Sequence, residues 1–492
     1  MKQNMNKQIA QLEPREIWTN FVALNEIPRP SKKEEKVRRF MLDFGKKLGL
    51  ETFEDKIGNV IIKKPATPGM ENRKTVALQA HLDMVPQKNK DKEHDFEKDG
   101  IDMLIEGDWV TADGTTLGAD NGIGVAAIMG LLASKDIPHP PLEALFTIDE
   151  ETGMTGAQEL EEGILDAEIM LNLDTEEDDE LDIGCAGGID ISATGEYKEK
   201  DVPSNYKAYK IHVKGLTGGH SGMDIHLYRG NANKIMNRLL YKGSQKGLEV
   251  SAIHGGGLRN AIPRESEALV LLPENKKEEI LKDLEELAET IKTEQQKQDP
   301  NLQIVFTGAA MPRKMMDSQD KERLLKSIYT AHNGVYRMSP DMEDLVETSN
   351  NVAQVVVENG KIRIENLTRS SVESTKEDLA NALRSAFELG GLEVEMSGSY
   401  PGWKPNPEAQ ILAVMTDLYK KLYNEEPKVV ACHAGLECGI IKSHYPGMEM
   451  ISFGPTIQGA HSPDERVNIE SVKKFWEYLK ETLKNIPEKQ EN

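Results

Sequence analysis

The sequence predicts an α/β protein: an open sheet with helices packed on it, interrupted by an inserted α+β unit. Three observations predict it. Three apolar runs end in acids or histidine, a glycine-bounded apolar stretch of helical length lies between the first two, and the middle third repeats a strand and helix order that the flanks lack.

The first run, Thr75-Val76-Ala77-Leu78-Gln79-Ala80, has the apolar, β-branched content of a buried strand, and His81-Leu82-Asp83 follows at its carboxyl end. Gly118-Ala119-Asp120-Asn121-Gly122 then opens the stretch Ile123 to Ala133, which reads as a helix. Asp120 therefore lies near a helix N-terminus, where an acid is favoured. Ala144 to Ile148 reads as a second strand running into Asp149-Glu150-Glu151, and Ile169 to Leu173 as a third running into Asp174. A late strand, Met450 to Gly454, precedes a loop that carries His461. Ligands of open α/β sheets collect outside the carboxyl ends of the strands, so one cleft could gather all of these groups.

Residues from about 207 to 396 read differently. Tyr209 to Val213 and Glu267 to Leu272 are predicted strands, and Asn231 to Tyr241 and Lys276 to Thr293 predicted helices. A looser second pass has strands at Ala353 to Val357 and Lys361 to Glu365, joined by the turn Glu358-Asn359-Gly360, and a helix from Thr375 to Leu389 stopped by Gly390-Gly391. The order suggests two α+β halves, an internal duplication. No strand-end acid or histidine of the first set falls inside this block. It is expected to be an insertion, leaving residues 1–206 and 397–492 as the discontinuous first domain and 207–396 as the second.

His81, Asp120, Glu151, Asp174 and His461 have the chemistry of a two-metal ligand set. Such a site takes a few nitrogen and carboxylate ligands from different strand ends, with one carboxylate bridging ions about 3.5–4 Å apart. Taken singly, each has an ordinary alternative as a hydrogen-bonded or solvated polar residue.

As an ordered set, the segments His81-Leu82-Asp83, Gly118-Ala119-Asp120-Asn121-Gly122, Glu150-Glu151-Thr152-Gly153, Asn172-Leu173-Asp174 and the late His461 resemble the signature of the di-zinc exopeptidases, which include carboxypeptidase G, peptidase T and peptidase V. The full-length layout most resembles their aminoacyl-histidine (cytosol non-specific) dipeptidase branch. Supporting segments are Asp182 to Gly188, Gly218-Gly219-His220-Ser221-Gly222, Arg259 to Glu265 and His433 to Gly439. The resemblance implies a di-zinc exopeptidase-type α/β catalytic domain with an inserted α+β lid, and hydrolysis of dipeptides, either broadly or with an Xaa-His preference that includes β-alanyl-histidine.

It also implies roles. Asp120 would bridge both ions, His81 and Asp174 would complete one site, and Glu151 and His461 the other. Zinc is the expected metal, with cobalt or manganese acceptable to the same donors. A zinc-bound water ionises near pH 7 instead of about 15.7, so a hydroxide between the ions would be the nucleophile. Glu150, beside a ligand, would take that proton and deliver it to the leaving amine. Asp83 alternates to the face of His81 and would orient its imidazole, unless it is a solvated strand-end acid. By the same resemblance His220 would polarise the scissile carbonyl, Asn260 and Arg369 would hold the substrate carboxylate, and Gly435 would allow close backbone approach. The plainer alternatives are a turn residue for His220, a surface ion pair for Arg369 and a turn glycine for Gly435. Cys432 and Cys438 read as small core residues.

Composition fits this picture. The chain has 492 residues, too many for one core, with 38% apolar and 29% charged residues. Its mean hydropathy is −0.53 and no run is long enough for a membrane span. A net charge of −23 disfavours nucleic acid and anionic membranes. The run Glu176-Glu177-Asp178-Asp179-Glu180 is expected to be an exposed loop, or else a concentrator of cations near the site. Three cysteines and a polar N-terminal segment point to the cytoplasm. A homodimer is implied by the family. An N-acyl amino acid deacylase using the same metals, and a catalytically silent binding protein, are the alternatives.

Overall fold

The structure, a computed structural model, describes residues 2–489. It divides into two compact units, one formed by residues up to 184, 405–431 and from 436 onward, the other by residues 185–404 and 432–435.

The first unit is built on an eight-stranded mixed sheet, in the order Glu51–Glu54, Val60–Lys64, Leu142–Thr147, Val76–His81, Ile169–Asn172, Glu449–Ser452, Glu180–Cys185, Lys428–Cys432. Its centre is parallel: Val76–His81 lies between Leu142–Thr147 and Ile169–Asn172, and Ile169–Asn172 also pairs with Glu449–Ser452. Parallel strands are covered on both faces and therefore read as near-continuous apolar runs. Every residue of Val76–His81, Leu142–Thr147 and Ile169–Asn172 is buried. The helix Ala119–Ala133 is apolar all round for the same reason, and only Asp120 and Ala133 escape burial. Asp120 and Asn121, joined by a cis peptide, have non-helical angles, so regular helix begins after them.

A smaller antiparallel sheet, in the order Ile457–Gln458, Arg466–Asn468, Trp109–Ala112, Met103–Glu106, brings the late histidine back to the early strands. Arg466 pairs with Thr111 and Val467 with Val110, which sets the 459–465 hairpin loop beside the segment that follows Ala112.

The second unit centres on a nine-stranded antiparallel sheet that contains two βαββαβ repeats. The first repeat comprises Tyr206–Lys214, the helix Ala232–Ser244, Glu249–Gly256, Ser266–Pro273, the helix Lys277–Gln295 and Gln303–Gly308. Its strands lie in the spatial order fourth, first, third, second. The second repeat has the same order, with Gly187–Glu196 as its first strand, then the helix Ser318–Thr330, Val346–Glu358, Lys361–Ser370, the helix Glu373–Leu389 and Glu393–Tyr400. The second strands of the two repeats pair antiparallel and join them edge to edge. One repeat is thus threaded into the other after its opening strand.

This nesting explains a difference from the expected boundaries. The divide falls at 184/185 and 404/405, not near 206 and 397, because Gly187–Glu196 and Glu393–Tyr400 pair with each other and with Lys361–Ser370 inside the second sheet. A shared core ties the two repeats together: Leu239, Ile280, Leu284, Leu324, Leu383 and Phe387 from the four helices pack with Ile211, Val250, Val270, Val355 and Ile364 of the sheet. The Asn359-Gly360 turn has positive φ at both residues and links Glu358 to its partner Lys361 as a two-residue hairpin.

Candidate metal centre

Three strand ends, the start of the helix Ala119–Ala133 and one hairpin loop of the first unit bring the expected ligands to one place. His81 ends its strand, Glu151 follows Leu142–Thr147 through a turn in which Asp149 has φ +54, and Asp174 follows Ile169–Asn172. Donor atoms of His81, Asp120 and Asp174 lie within 4.8 Å of one another, and so do those of Asp120, Glu151 and His461. Asp120 belongs to both groups. Its Oδ1 is 3.0 Å from His81 Nε2, and its Oδ2 is 3.2 Å from His461 Nε2. His461 Nε2 also lies 2.9 Å from Glu151 Oε2, and His81 Nε2 3.5 Å from Asp174 Oδ1. Each oxygen of one carboxylate therefore faces a different imidazole, the arrangement a bridging ligand needs.

The electrostatics match a cation site. Burial opposes charge on His81, but Asp174, Asp120 and Asp83 outweigh it and hold its pKa well above the ordinary value. Hydrogen bonds to Asp120 and Glu151 raise His461 to about 11, while the Asp120 carboxyl is held below the usual range despite burial because both imidazoles face it. Protons on the histidines thus stand where divalent cations would serve the carboxylates better. Glu151 Oε1 is buried without a hydrogen-bond partner. The mixed nitrogen and oxygen donor set, the shared carboxylate and this orphaned oxygen fit two divalent ions.

Glu150 sits with His81 and Glu151 in a third such group. Burial pushes its carboxyl well above the ordinary value, with Asp174, Glu437 and Glu151 adding to the shift against His81. Asp83 Oδ1 is 3.4 Å from His81 Nδ1, and the two carboxylate oxygens accept from the backbone N–H groups of Glu150 at 3.1 Å and Glu151 at 3.3 Å. It is fully buried, not a solvated acid, and fixes the turn that carries both glutamates as well as facing the imidazole.

The surrounding chain explains the glycines. Gly118 has φ +70, and a Cβ there would lie 2.5 Å from Arg29 Nη2; one on Gly122 would lie 2.7 Å from the same atom. Asn121 Nδ2 donates to Leu173 O at 2.7 Å and to Asp174 Oδ1, tying the bridging segment to the third strand end. The acidic run after Asp174 is not a solvated loop as expected: Asp178 pairs with Lys474 and Asp179 with Lys428, each at 2.9 Å, and only Glu177 is fully exposed.

The second unit gathers the residues expected to hold substrate. His220 Nδ1 accepts from the N–H groups of Gly222 and Met223, which leaves the proton on Nε2, and burial with Arg369 nearby lowers its pKa. Arg369 is 5% exposed, not a surface residue, and donates to Tyr400 Oη at 3.0 Å. A Cβ on Gly435 would meet the same Tyr400 ring at 3.0 Å. Asn260 is exposed, and its carbonyl accepts from Ser221 N–H beside the Gly219–His220 strand. Sequence reasoning quoted His433 only within a supporting segment, without a role, and passed over Tyr400; His433 is buried with Nε2 2.8 Å from Ser349 Oγ. It also gave no role to Glu437 and passed over Arg29 and Glu465 of the first unit; a lone acid or arginine outside the strand-end pattern gives no local signal of burial. Cys438 is buried as expected, whereas Cys432 is only half-buried.

Comparison with known proteins agrees with this geometry. Residues 77–485 match the family described as Peptidase family M20/M25/M40. The chain is 42% identical over 484 residues to the cytosol non-specific dipeptidase of Escherichia coli strain K12, covering 98% of this chain and 100% of that protein. The aminoacylhistidine dipeptidase structure from Vibrio alginolyticus superimposes with a TM-score of 0.95 at 45% identity, covering 98% of this chain and 99% of that one. The aminopeptidase PepT structure from Bacillus cereus shares the fold, with a TM-score of 0.57 at 17% identity over 96% of this chain and 99% of that one. A family match across most of the chain and near-complete coverage at over 40% identity lead to one conclusion: the chain belongs to peptidase family M20/M25/M40, a family of metallopeptidase hydrolases.

Proposed function

We propose that this protein is a two-metal dipeptidase, acting on dipeptides broadly or preferring Xaa-His substrates such as β-alanyl-histidine. The observation that carries the reading is Asp120, whose two oxygens face His81 and His461. Similarity to a cytosol non-specific dipeptidase and to an aminoacylhistidine dipeptidase supports the substrate class.

His81, Asp120 and Asp174 would hold one ion and Asp120, Glu151 and His461 the other, with zinc the best match to the donors. Such ions supply Lewis acidity, polarising the scissile carbonyl and making the attacking water acidic near neutral pH. Glu150 accepts the proton from that water and returns it to the departing amine. Its place beside His81 and Glu151 sets it within reach of both halves of this transfer. Asp83 holds the Glu150–Glu151 backbone and faces His81, so it keeps base and ligand in register.

His220, with its proton on Nε2, is the donor we assign to the developing oxyanion. Arg369 and Asn260 would hold the substrate carboxylate, and Gly435 would let the backbone approach it. Recognition of the free carboxylate as well as the scissile carbonyl would favour short peptides. A homodimer and a cytoplasmic location belong to the same reading; among the described residues no helix is long and apolar enough to cross a membrane.

The test is a substrate panel on chelator-stripped and zinc-restored protein: ordinary dipeptides, β-alanyl-histidine, a tripeptide and an N-acetyl amino acid. Zinc-dependent cleavage confined to dipeptides supports the proposal. Cleavage of only the acetylated compound would move it to a deacylase, and two bound metals without turnover of any substrate would leave a binding protein.

A further inference from the structure

Beneath the ligands lies a pair of buried charged side chains to which neither the family signature nor the proposed chemistry gives a role. Glu465, 2% exposed, follows His461 by four residues in the same hairpin loop. Its carboxylate accepts four backbone N–H groups in succession: Oε2 from Leu117 at 2.7 Å and Gly118 at 2.9 Å, Oε1 from Ala119 at 2.7 Å and Asp120 at 3.2 Å. Its own backbone is fixed in turn, with its N–H on Ser462 O and its carbonyl accepting from Thr111 Oγ1.

Arg29, 1% exposed, grips the same segment from the other side. Nη2 donates to Gly118 O at 2.5 Å, and Nη1 donates to Leu82 O at 3.1 Å and Asp83 O at 2.9 Å. The Gly118 residue is therefore held at its N–H by Glu465 and at its carbonyl by Arg29. The space a side chain at 118 or 122 would fill is taken by the guanidinium.

We infer that Glu465 and Arg29 are positioning residues that lock three ligand-bearing segments, the end of Val76–His81, the Leu117–Asp120 turn and the His461 loop, at the spacing two metal ions require before the ions arrive. The inference rests on the two-metal reading of the site. Its physical basis is that a turn whose successive N–H groups point inward must bury those donors against an acceptor. A carboxylate fixed in the same loop as His461 makes that acceptor a link between the bridging ligand and the most exposed one. Two divalent cations close by would favour the ionised carboxylate. Without the link, the His461 loop would have to be ordered at the expense of metal-binding free energy, since partners behind the ligands typically change metal affinity 10–100-fold.

The substitution Glu465→Gln keeps the volume but leaves two of the four N–H groups facing an amide NH2. We expect zinc affinity, measured by competition with a chelating dye, to fall about 10–100-fold for at least one ion. Met41→Ala, in the helix Glu35–Lys47 that packs on Glu51–Glu54 and Val60–Lys64, serves as a core variant that lowers stability without touching the three segments. Its zinc affinity should match the unsubstituted protein. Equal affinity in Glu465→Gln and the unsubstituted protein, or equal weakening in both variants, would overturn the inference. Failure of the unsubstituted protein to bind two ions would overturn the two-metal reading itself.

If Glu465→Gln does not fold, hydrogen exchange on the unsubstituted metal-free protein decides. The N–H groups of Leu117 to Asp120 should be protected to the level of the neighbouring strands without zinc. Protection that appears only when zinc is added would show that the metal, and not this pair, orders the turn.

Discussion

His433 gives this protein an acid-sensitive point in its second unit. The imidazole is 6% exposed, with Nε2 on Ser349 Oγ. Burial first, then the charges of Arg369, His220 and His226, hold its pKa down to about 3 against an ordinary value of 6.5. The folded side chain therefore refuses a proton that the unfolded chain accepts below pH 6.5, and the native state loses stability as pH falls from 6.5 towards 3. With those two values the loss from this one residue is about 2 kcal/mol at pH 5 and about 4 kcal/mol at pH 3. Replacing it as His433→Gln removes the titration while keeping a polar side chain for Ser349.

The assay is urea unfolding of both proteins at about pH 7.5 and pH 5. The variant is expected to be less stable at pH 7.5, having lost a fitted hydrogen bond, yet to lose about 2 kcal/mol less than the unsubstituted protein on going to pH 5. Every other titrating group is common to both and cancels in the difference. Equal pH dependence in the two proteins, or a carbon-13 histidine resonance of the folded protein assigned to His433 that titrates near pH 6, would refute the argument.

Other outcomes follow from the site. Glu150→Gln should lower kcat by at least about 10²–10⁴-fold with zinc binding intact, checked by turnover alongside metal content; retained turnover would remove Glu150 from proton transfer. Gly118→Ala forces a left-handed alanine at φ +70 and sets a methyl 2.5 Å from Arg29 Nη2, so it should destabilise by roughly 2–5 kcal/mol, read as a lowered Tm. An unchanged Tm would mean that the guanidinium moves aside at little cost.

The legible part of the fold was its parallel centre. Val76–His81, Leu142–Thr147 and Ile169–Asn172 are buried on both faces, and such strands are written as unbroken apolar runs whose ends are easy to see. The short strands Met103–Glu106, Trp109–Ala112 and Arg466–Asn468 left no such mark, because small edge strands are defined by their partners more than by their composition. The same holds for the opening strand of the outer repeat, Gly187–Glu196. Its glycines and alternating burial hid a membership that only pairing with Lys361–Ser370 and Glu393–Tyr400 reveals.

The candidate ligand types, and the placing of His81, Glu151 and Asp174 after strand ends, could be read from the sequence, since those depend on local periodicity and on the chemistry of histidine and carboxylate side chains. Tertiary structure alone decided which oxygen of Asp120 faces which imidazole, that Asp83 is buried against the Glu150–Glu151 turn, that Arg369 and His433 are enclosed, and that Arg29 and Glu465, from opposite ends of the chain, grip one glycine. The reason is physical: burial and hydrogen-bond geometry are set by groups 39 to 347 residues away in the chain, and no local window of sequence contains both partners.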